Sequence, residues 1–341
     1  MKLKSLLPLA LLALALPYPT QADVQSYALS GGPNSVGVAL VKPAWLTGTI
    51  GAVDGAGLRV QDPALAGSPS AAPLTWENQP AYLEISQAPS QPSFVGERYE
   101  IEVSANPSAN QGWIRLKTAP TNTRRDLPAG LVGASYAVRP HWTLANLFGT
   151  SGRSFLRPGR TSSSADEVQI TDPGSGVPEN YFISSEPSAP GWRLSRNRRG
   201  PEQSQVVIPP GAAFILQARG PLVFSLYGEA RAHAFRLPLR SGPNFVSLGH
   251  PRAFRLTDLA GNPPTAFRAS VAPASADRIS FLVGNRQETF SLLQRPEAIR
   301  WVSSTSTYPT DVQELDLFPP NRGFWIHKQQ ADPGFTIPAP R

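Results

Sequence analysis

The chain has 341 residues and a formal charge of +7; 37 residues are Pro, 28 are Gly, 40% are apolar and only 16% are charged. Pro at that density excludes long helices and coiled coils, because each interior Pro removes a backbone donor. The apolar share excludes wholesale disorder, and the length leaves room for two or three domains of ~100–200 residues.

Residues 1–22 read as a secretory signal peptide. Lys2 and Lys4 form a basic start, Leu6 to Leu16 an apolar run broken by Pro8, and Thr20-Gln21-Ala22 a small-residue cleavage site. The run is shorter than the ~20 apolar residues a spanning helix needs. The mature chain is expected to begin at Asp23 and to carry +5 once the two lysines are gone. The destination is the periplasm, the cell surface or the medium. No later segment reads as a transmembrane anchor. The chain has no Cys. Disulfides, a Cys-borne lipid and thiol catalysis are therefore excluded, and stability must come from core burial. Lys42, Lys117 and Lys328 are the remaining lysines, so the positive charge is carried mainly by Arg. Such a surface suits acidic polysaccharide or other envelope components by long-range attraction. Nucleic acid is not an expected partner outside the cytoplasm.

Downstream, short strands separated by turns dominate. Val36–Val41 and Gly48–Val53 alternate loosely, and Asp54-Gly55 suggests a tight hairpin leading to Leu58–Val60. Tyr99, Ile101 and Val103 share one strand face, with Glu100 and Glu102 on the other. Trp113–Lys117 alternates again. Trp142–Phe148 is the one short helical pattern. Val168–Ile170, Tyr181–Ser184, Trp192–Leu194, Val206–Ile208, Ala213–Gln217, Val223–Tyr227, Phe235–Leu239 and Phe245–Leu248 follow at about ten-residue spacing, the rhythm of a sandwich or barrel. The Pro-rich tracts 62–80 and 185–203 read as loops or linkers.

Several segments recur. Ala165-Asp166-Glu167-Val168 matches Ala276-Asp277-Arg278-Ile279, Trp192 matches Trp301, and Pro209-Pro210 with Phe214-Ile215 matches Pro319-Pro320 with Phe324-Trp325. Phe235-Arg236-Leu237-Pro238 resembles Phe335-Thr336-Ile337-Pro338. Trp142-Thr143-Leu144 resembles Phe254-Arg255-Leu256, and Gly32-Pro33-Asn34 resembles Gly242-Pro243-Asn244. The fold class expected is therefore all-β: duplicated β-sandwich or barrel-like modules with a small inserted β-barrel unit near the N-terminus. Its parts are an N-terminal strand segment (23–45), the barrel-like unit (46–138), repeat 1 (139–249) and repeat 2 (250–341). Asn321 stands where repeat 1 has Gly211, so that turn is expected to differ.

On His141-Trp142-Thr143-Leu144, Ala165-Asp166-Glu167, Gly191-Trp192-Arg193, Ile208-Pro209-Pro210-Gly211 and Arg236-Leu237-Pro238-Leu239, the chain resembles a family of exported, uncharacterised proteins of Verrucomicrobia and related bacteria. The resemblance implies export and an all-β build with a repeated C-terminal half. It supplies no catalytic residues.

No nucleophile elbow is present; Gly149-Thr150-Ser151-Gly152 and Gly174-Ser175-Gly176 sit among turns. His141, His233, His250 and His327 show no metal-ligand spacing, and Asp311, Glu314 and Asp316 lack the pattern of a calcium loop. Glu100 and Glu102 lie ~7 Å apart on one strand face, which a glycosidase could use, but an outward Glu-x-Glu is read as a solvated face. No catalytic residue, metal site or cofactor is assigned. Trp142, Trp192 and Trp301 are expected to pack in cores. Trp76 and Trp113, with the loop residues Arg196, Arg198 and Arg199, form the candidate ligand platform. The leading expectation is an exported non-enzymatic protein with a structural or binding role. The alternatives are a carbohydrate-binding protein using exposed Trp, and a secreted carboxylate-dependent hydrolase.

Overall fold

The computed structural model describes residues 23–66, 79–102, 111–118, 122, 127–172, 175–260, 266–283, 286–304 and 318–339. Among the described residues the fold is all-β, 47% strand, with two short helices and antiparallel sheets of which none closes into a barrel. The segment 1–22, Trp76 and Asp311, Glu314 and Asp316 lie outside the described residues.

The chain opens with β1 (Asp23–Leu29), β2 (Gly32–Gly37) and β3 (Leu40–Val41). A separate unit follows: β4 (Leu46–Thr49), β5 (Ala52–Val53), β6 (Arg59–Gln61), β7 (Ala81–Gln87), β8 (Arg98–Glu100), β9 (Trp113–Arg115) and β10 (Ser135–Pro140). Its sheets run β4-β10-β7-β8 and β5-β6-β9, and a bridge at Ile101–Leu116 links the two. Alternation aims Ile50, Val60, Leu83, Ile85, Tyr99, Ile114 and Val138 into one core. The unit is thus barrel-like in having one shared interior, while its ladder stays open. The Asp54-Gly55 hairpin is looser than expected. Val53 pairs with Val60, and the Asp54 carboxylate accepts the Leu58 and Arg59 N–H groups. The positive φ falls on Gly57 rather than Gly55.

The next strands are β11 (Trp142–Thr143), β12 (Glu167–Thr171), β13 (Pro178–Ser184), β14 (Gly191–Leu194), β15 (Val207–Ile208), β16 (Ala213–Ala218) and β17 (Leu222–Ala230), with helix α1 (Leu144–Phe148) after β11. Thr143 caps α1 by accepting the Asn146 N–H, and Gly149 at φ +86° ends it after five residues. The last part holds β18 (Phe235–Leu239), β19 (Gly242–Val246), α2 (Leu256–Ala260), β20 (Arg278–Val283), β21 (Arg286–Gln294), β22 (Ile299–Ser303), β23 (Phe324–Lys328) and β24 (Asp332–Ile337).

Two five-stranded sheets emerge with the same layout. One runs β14-β13-β12-β16-β2, the other β22-β21-β20-β23-β19. Each faces a smaller sheet, β1-β17-β3 or β18-β24. Local bonds recur as well. Asp166 accepts the Arg157 and Arg219 N–H groups, and Asp277 accepts those of Arg268 and Gln329. Asn34 returns hydrogen bonds to Ser30, and Asn244 does the same to Arg240. Trp192 (0% exposed) and Trp301 (2%) occupy matching edge strands and pack in their cores, as the sequence suggests. Trp142 is half-buried, its indole N–H donating to Leu40 O.

Two expectations need correction. Phe235–Pro238 and Phe335–Pro338 do not hold equivalent places: Phe235 pairs with Ile337 and Leu237 with Phe335, so the segments are neighbours in one ladder. The place of β18 is taken in the other half by β1. The second sheet assembly therefore starts at Phe235, not at residue 250, and the strands of 23–45 belong to the first. The turn at 211 and 321 does differ: Gly211 has φ +80°, and among the described residues Gln111 is the one non-glycine with positive φ.

Candidate functional site

The three units meet at the Pro209-Pro210-Gly211 turn between β15 and β16. A Cβ on Gly211 would meet the side chains of Leu237 and Phe235 at 2.5 and 2.7 Å, so this glycine lets the turn sit directly on β18. Arg98, on β8 of the inserted unit, reaches into the same place. Its guanidinium donates to Pro210 O and to Arg236 O, both at 2.9 Å, tying one unit to each of the others.

A small cleft, open to solvent, lies along this seam. Its walls are mainly apolar: Pro209, Pro210, Leu237, Pro238, Phe245 and Val246. Trp325 stacks on Phe245 with ring centroids 4.4 Å apart. The charged residues lining it are Arg98 and Arg240. Arg98 is engaged by the two carbonyls. Arg240 is half-buried, and among the described residues no hydrogen bond or ion pair holds its guanidinium. The cleft therefore combines flat apolar walls with one available cation.

Behind the cleft lies a buried charge network. Glu84 on β7 (1% exposed) meets Arg231 Nε at 2.8 Å and Arg139 Nε at 3.8 Å. Arg139 also donates to Glu229 at 2.5 Å, and Arg236 pairs with Glu97 at 3.2 Å. Burial works against the Glu84 charge, but Arg231, His233, Arg98 and Arg139 outweigh it and hold the carboxyl below its ordinary range. Arg231 lies over the Phe235 ring at 4.5 Å, and its carbonyl bonds His250 Nδ1 at 3.1 Å. Burial, then the Arg231 charge, push His250 down to about 4. Tyr82 is pushed up to about 12 by burial and by Glu84. These groups come from all three units and face one another.

Glu100 and His141 form a further pair. The His141 Nε2 lies 2.9–3.0 Å from both Glu100 oxygens, with Tyr82 against the imidazole. Glu100 is therefore not the solvated carboxylate that its strand pattern suggests. Glu102 is exposed beside Arg115 at 3.8 Å, so the two carboxylates serve different cations. The sequence reading gave His141 no partner, because nothing local connects β8 to the end of β10.

The expected platform residues are dispersed. Trp113 is half-buried on β9, with the Arg59 guanidinium 5.2 Å from its ring centre, which covers one ring face. None of the six described Trp is exposed. Arg196, Arg198 and Arg199 are exposed beyond β14, and Arg196 pairs with Glu179. Arg193 is buried and donates to the carbonyls of Ala189, Pro190 and Gly200, so it closes its own loop. No described contact joins Trp113 to this loop. No cluster of three or more metal-ligating side chains occurs among the described residues. No described helix is long and apolar enough to cross a membrane. Comparison with family models, curated proteins and solved structures finds no match for this chain.

Proposed function

We propose that this is an exported, non-enzymatic β protein with a binding role at the cell envelope or outside the cell, and that its ligand enters the junction cleft. The observation that carries the reading is the cleft itself, where three units supply flat apolar walls and an unengaged Arg240. An apolar-walled cleft with a few polar groups can orient a small ligand or the end of a longer one. The ligand class is an acidic glycan of the envelope. Its sugar faces would lie on Phe245 and the prolines, and its carboxylate would meet Arg240 in bidentate fashion. The buried charges behind the cleft support this reading by holding its walls in place. The leader-like composition of segment 1–22 supports the location.

Two measurements test the proposal. N-terminal sequencing of the protein recovered from its producing cells should read Asp-Val-Gln from Asp23. Titration with acidic and neutral oligosaccharides should change Trp fluorescence for the acidic ones only. Trp325→Phe should abolish the change, and Arg240→Gln should weaken binding at least tenfold. A response to no glycan would remove the ligand class, and an unprocessed cytoplasmic protein would remove the location.

A further inference from the structure

We infer that Lys328 and Asp277 condense to an intramolecular amide bond, with Asp332 as the proton relay, so that a chain without Cys carries a covalent staple. The three side chains come from neighbouring strand ends. Lys328 ends β23, Asp277 directly precedes β20, and Asp332 opens β24. Arg278 pairs with His327, so one step further Asp277 faces Lys328 across the ladder. The Lys328 Nζ lies 2.9 Å from Asp277 Oδ2 and 3.7 Å from Asp332 Oδ2, and it donates to Ala266 O at 2.7 Å. Asp277 is 1% exposed and Lys328 6%. The rings of Phe267 and Phe335 stand beside the amine, their centres 4.9 and 5.8 Å from Nζ, and shield it from water. The other half of the fold shows which part of this arrangement is additional. There Asp166 holds the place of Asp277 and accepts two backbone N–H groups, as Asp277 does. The residue facing Asp166, one step past Glu167 and Gln217, is Ala218, and Leu222 opens the following strand. Clamping the backbone therefore needs neither an amine nor a second carboxylate, and the second half supplies both.

The chemistry needs no co-reactant. Within the pair a proton passes from the ammonium to the Asp277 carboxylate, leaving an amine lone pair beside a carboxylic acid. That lone pair forms the N–C bond at Cγ while the carbonyl π electrons move onto oxygen. The Asp332 carboxylate takes one proton from the attacking nitrogen and returns it to the hydroxyl oxygen as the C–O bond breaks. The carbonyl re-forms and one water leaves. Ammonium plus carboxylate thus gives amide plus water, with Asp332 unchanged. Loose in water such ions do not condense, but groups fixed in contact react at effective concentrations of ~10⁵–10⁸ M. Burial favours the product, because a buried ion pair retains the desolvation cost of two charges and a neutral amide does not. The amide N–H can still donate to Ala266 O, and the remaining Asp277 oxygen can still accept the Gln329 N–H. Asp332 is only half-buried, so the water leaves past it.

Mass spectrometry of the purified, denatured full chain tests this. The protein should be one water lighter than its sequence requires, counted from the N-terminus it carries. A protease digest should yield one branched peptide holding both Asp277 and Lys328, which reductant leaves intact. Lys328→Arg keeps a cation beside Asp277 but cannot form this amide, so it should show full mass and two separate peptides. Asp332→Asn should lower the cross-linked fraction of freshly made protein by about tenfold or more, as loss of a proton relay does. Far-UV dichroism confirms that both variants fold. A wild-type chain of full mass with separate peptides overturns the inference, whatever the variants do. So does a water loss that maps elsewhere or persists in Lys328→Arg. A cross-link that Asp332→Asn forms as fast as the wild type overturns the relay.

Discussion

Replacing Glu84 by Gln removes the anion at the centre of the inter-unit network while keeping the side chain's shape. Glu84 and Arg231 are each 1% exposed at the side chain and 2.8 Å apart. The substitution leaves the Arg231 guanidinium buried without its carboxylate, and breaking such a pair by removing one partner costs about 3–5 kcal/mol. The lower end applies here. Arg139 keeps Glu229 as a partner. With a urea slope near 3 kcal/mol/M, a loss of about 3 kcal/mol moves the midpoint down by about 1 M. The assay is urea unfolding followed by both fluorescence and far-UV dichroism, because loosening a joint between units should also pull the two transitions apart. Glu84→Gln combined with Arg231→Met should cost less than Glu84→Gln alone, since the orphaned cation is then gone. A midpoint shift under about 0.3 M for Glu84→Gln, below 1 kcal/mol on the same slope, would refute the argument. So would a double variant that simply adds the two losses.

Acid sensitivity should trace largely to His250. An unfolded imidazole at its ordinary value of 6.5 takes up a proton well above the buried one at about 4. The unfolded state binds more protons across that window, so stability is full above pH 6.5 and falls as the pH drops toward 4, by up to about 3 kcal/mol. His327, also lowered by burial, adds in the same direction. Urea midpoints at pH 7.5 and 4.5 should differ by less in His250→Asn. Asp277→Asn should destabilise more than Asp166→Asn, because Asp277 also holds the nearly buried Lys328 at 2.9 Å; chemical denaturation of the two single variants would show equal losses if the ion pair contributed nothing. Trp192→Ala should cost about 3–5 kcal/mol through the cavity it leaves and the Gly149 carbonyl it orphans, measured by thermal or urea unfolding. Gly96→Ala should loosen the inserted unit from β18, since its Cβ would strike Ala234 O and lie 2.5 Å from Phe235 Cα; faster proteolysis between residues 87 and 98 would report it.

Strands were readable wherever apolar and polar side chains alternate, even where the polar face meets a neighbouring unit rather than water. Tyr99 and Ile101 point into a core and Arg98 and Glu100 away from it, so period-two alternation survives in the sequence. The turns at Gly32-Pro33-Asn34 and Gly242-Pro243-Asn244 were readable for a similar reason, because the Asn bonds are local and leave the same three letters each time. Phe235–Pro238 and Phe335–Pro338 were misread for the same cause. Both are inward-alternating strands against one core, and local composition cannot separate two strands that match from two that pair. Their register, Phe235 to Ile337, is a long-range fact that the shared letters conceal.

The junction was illegible because its residues meet only after folding. Glu84, Arg98, Arg231 and Arg236 are far apart in the chain, and each sits in a segment where a charge reads as a solvated face. Such a face needs no partner, whereas Glu84 and Arg231 at 1% exposure require one. Buried charge also explains how units with separate cores hold a fixed arrangement. Apolar contact alone tolerates sliding, but a guanidinium held by Pro210 O and Arg236 O at 2.9 Å fits one position. The cleft that follows that seam inherits its geometry. Among the described residues Arg240, unlike Arg98, is left out of this bonding, which is why the proposed ligand contact falls on it.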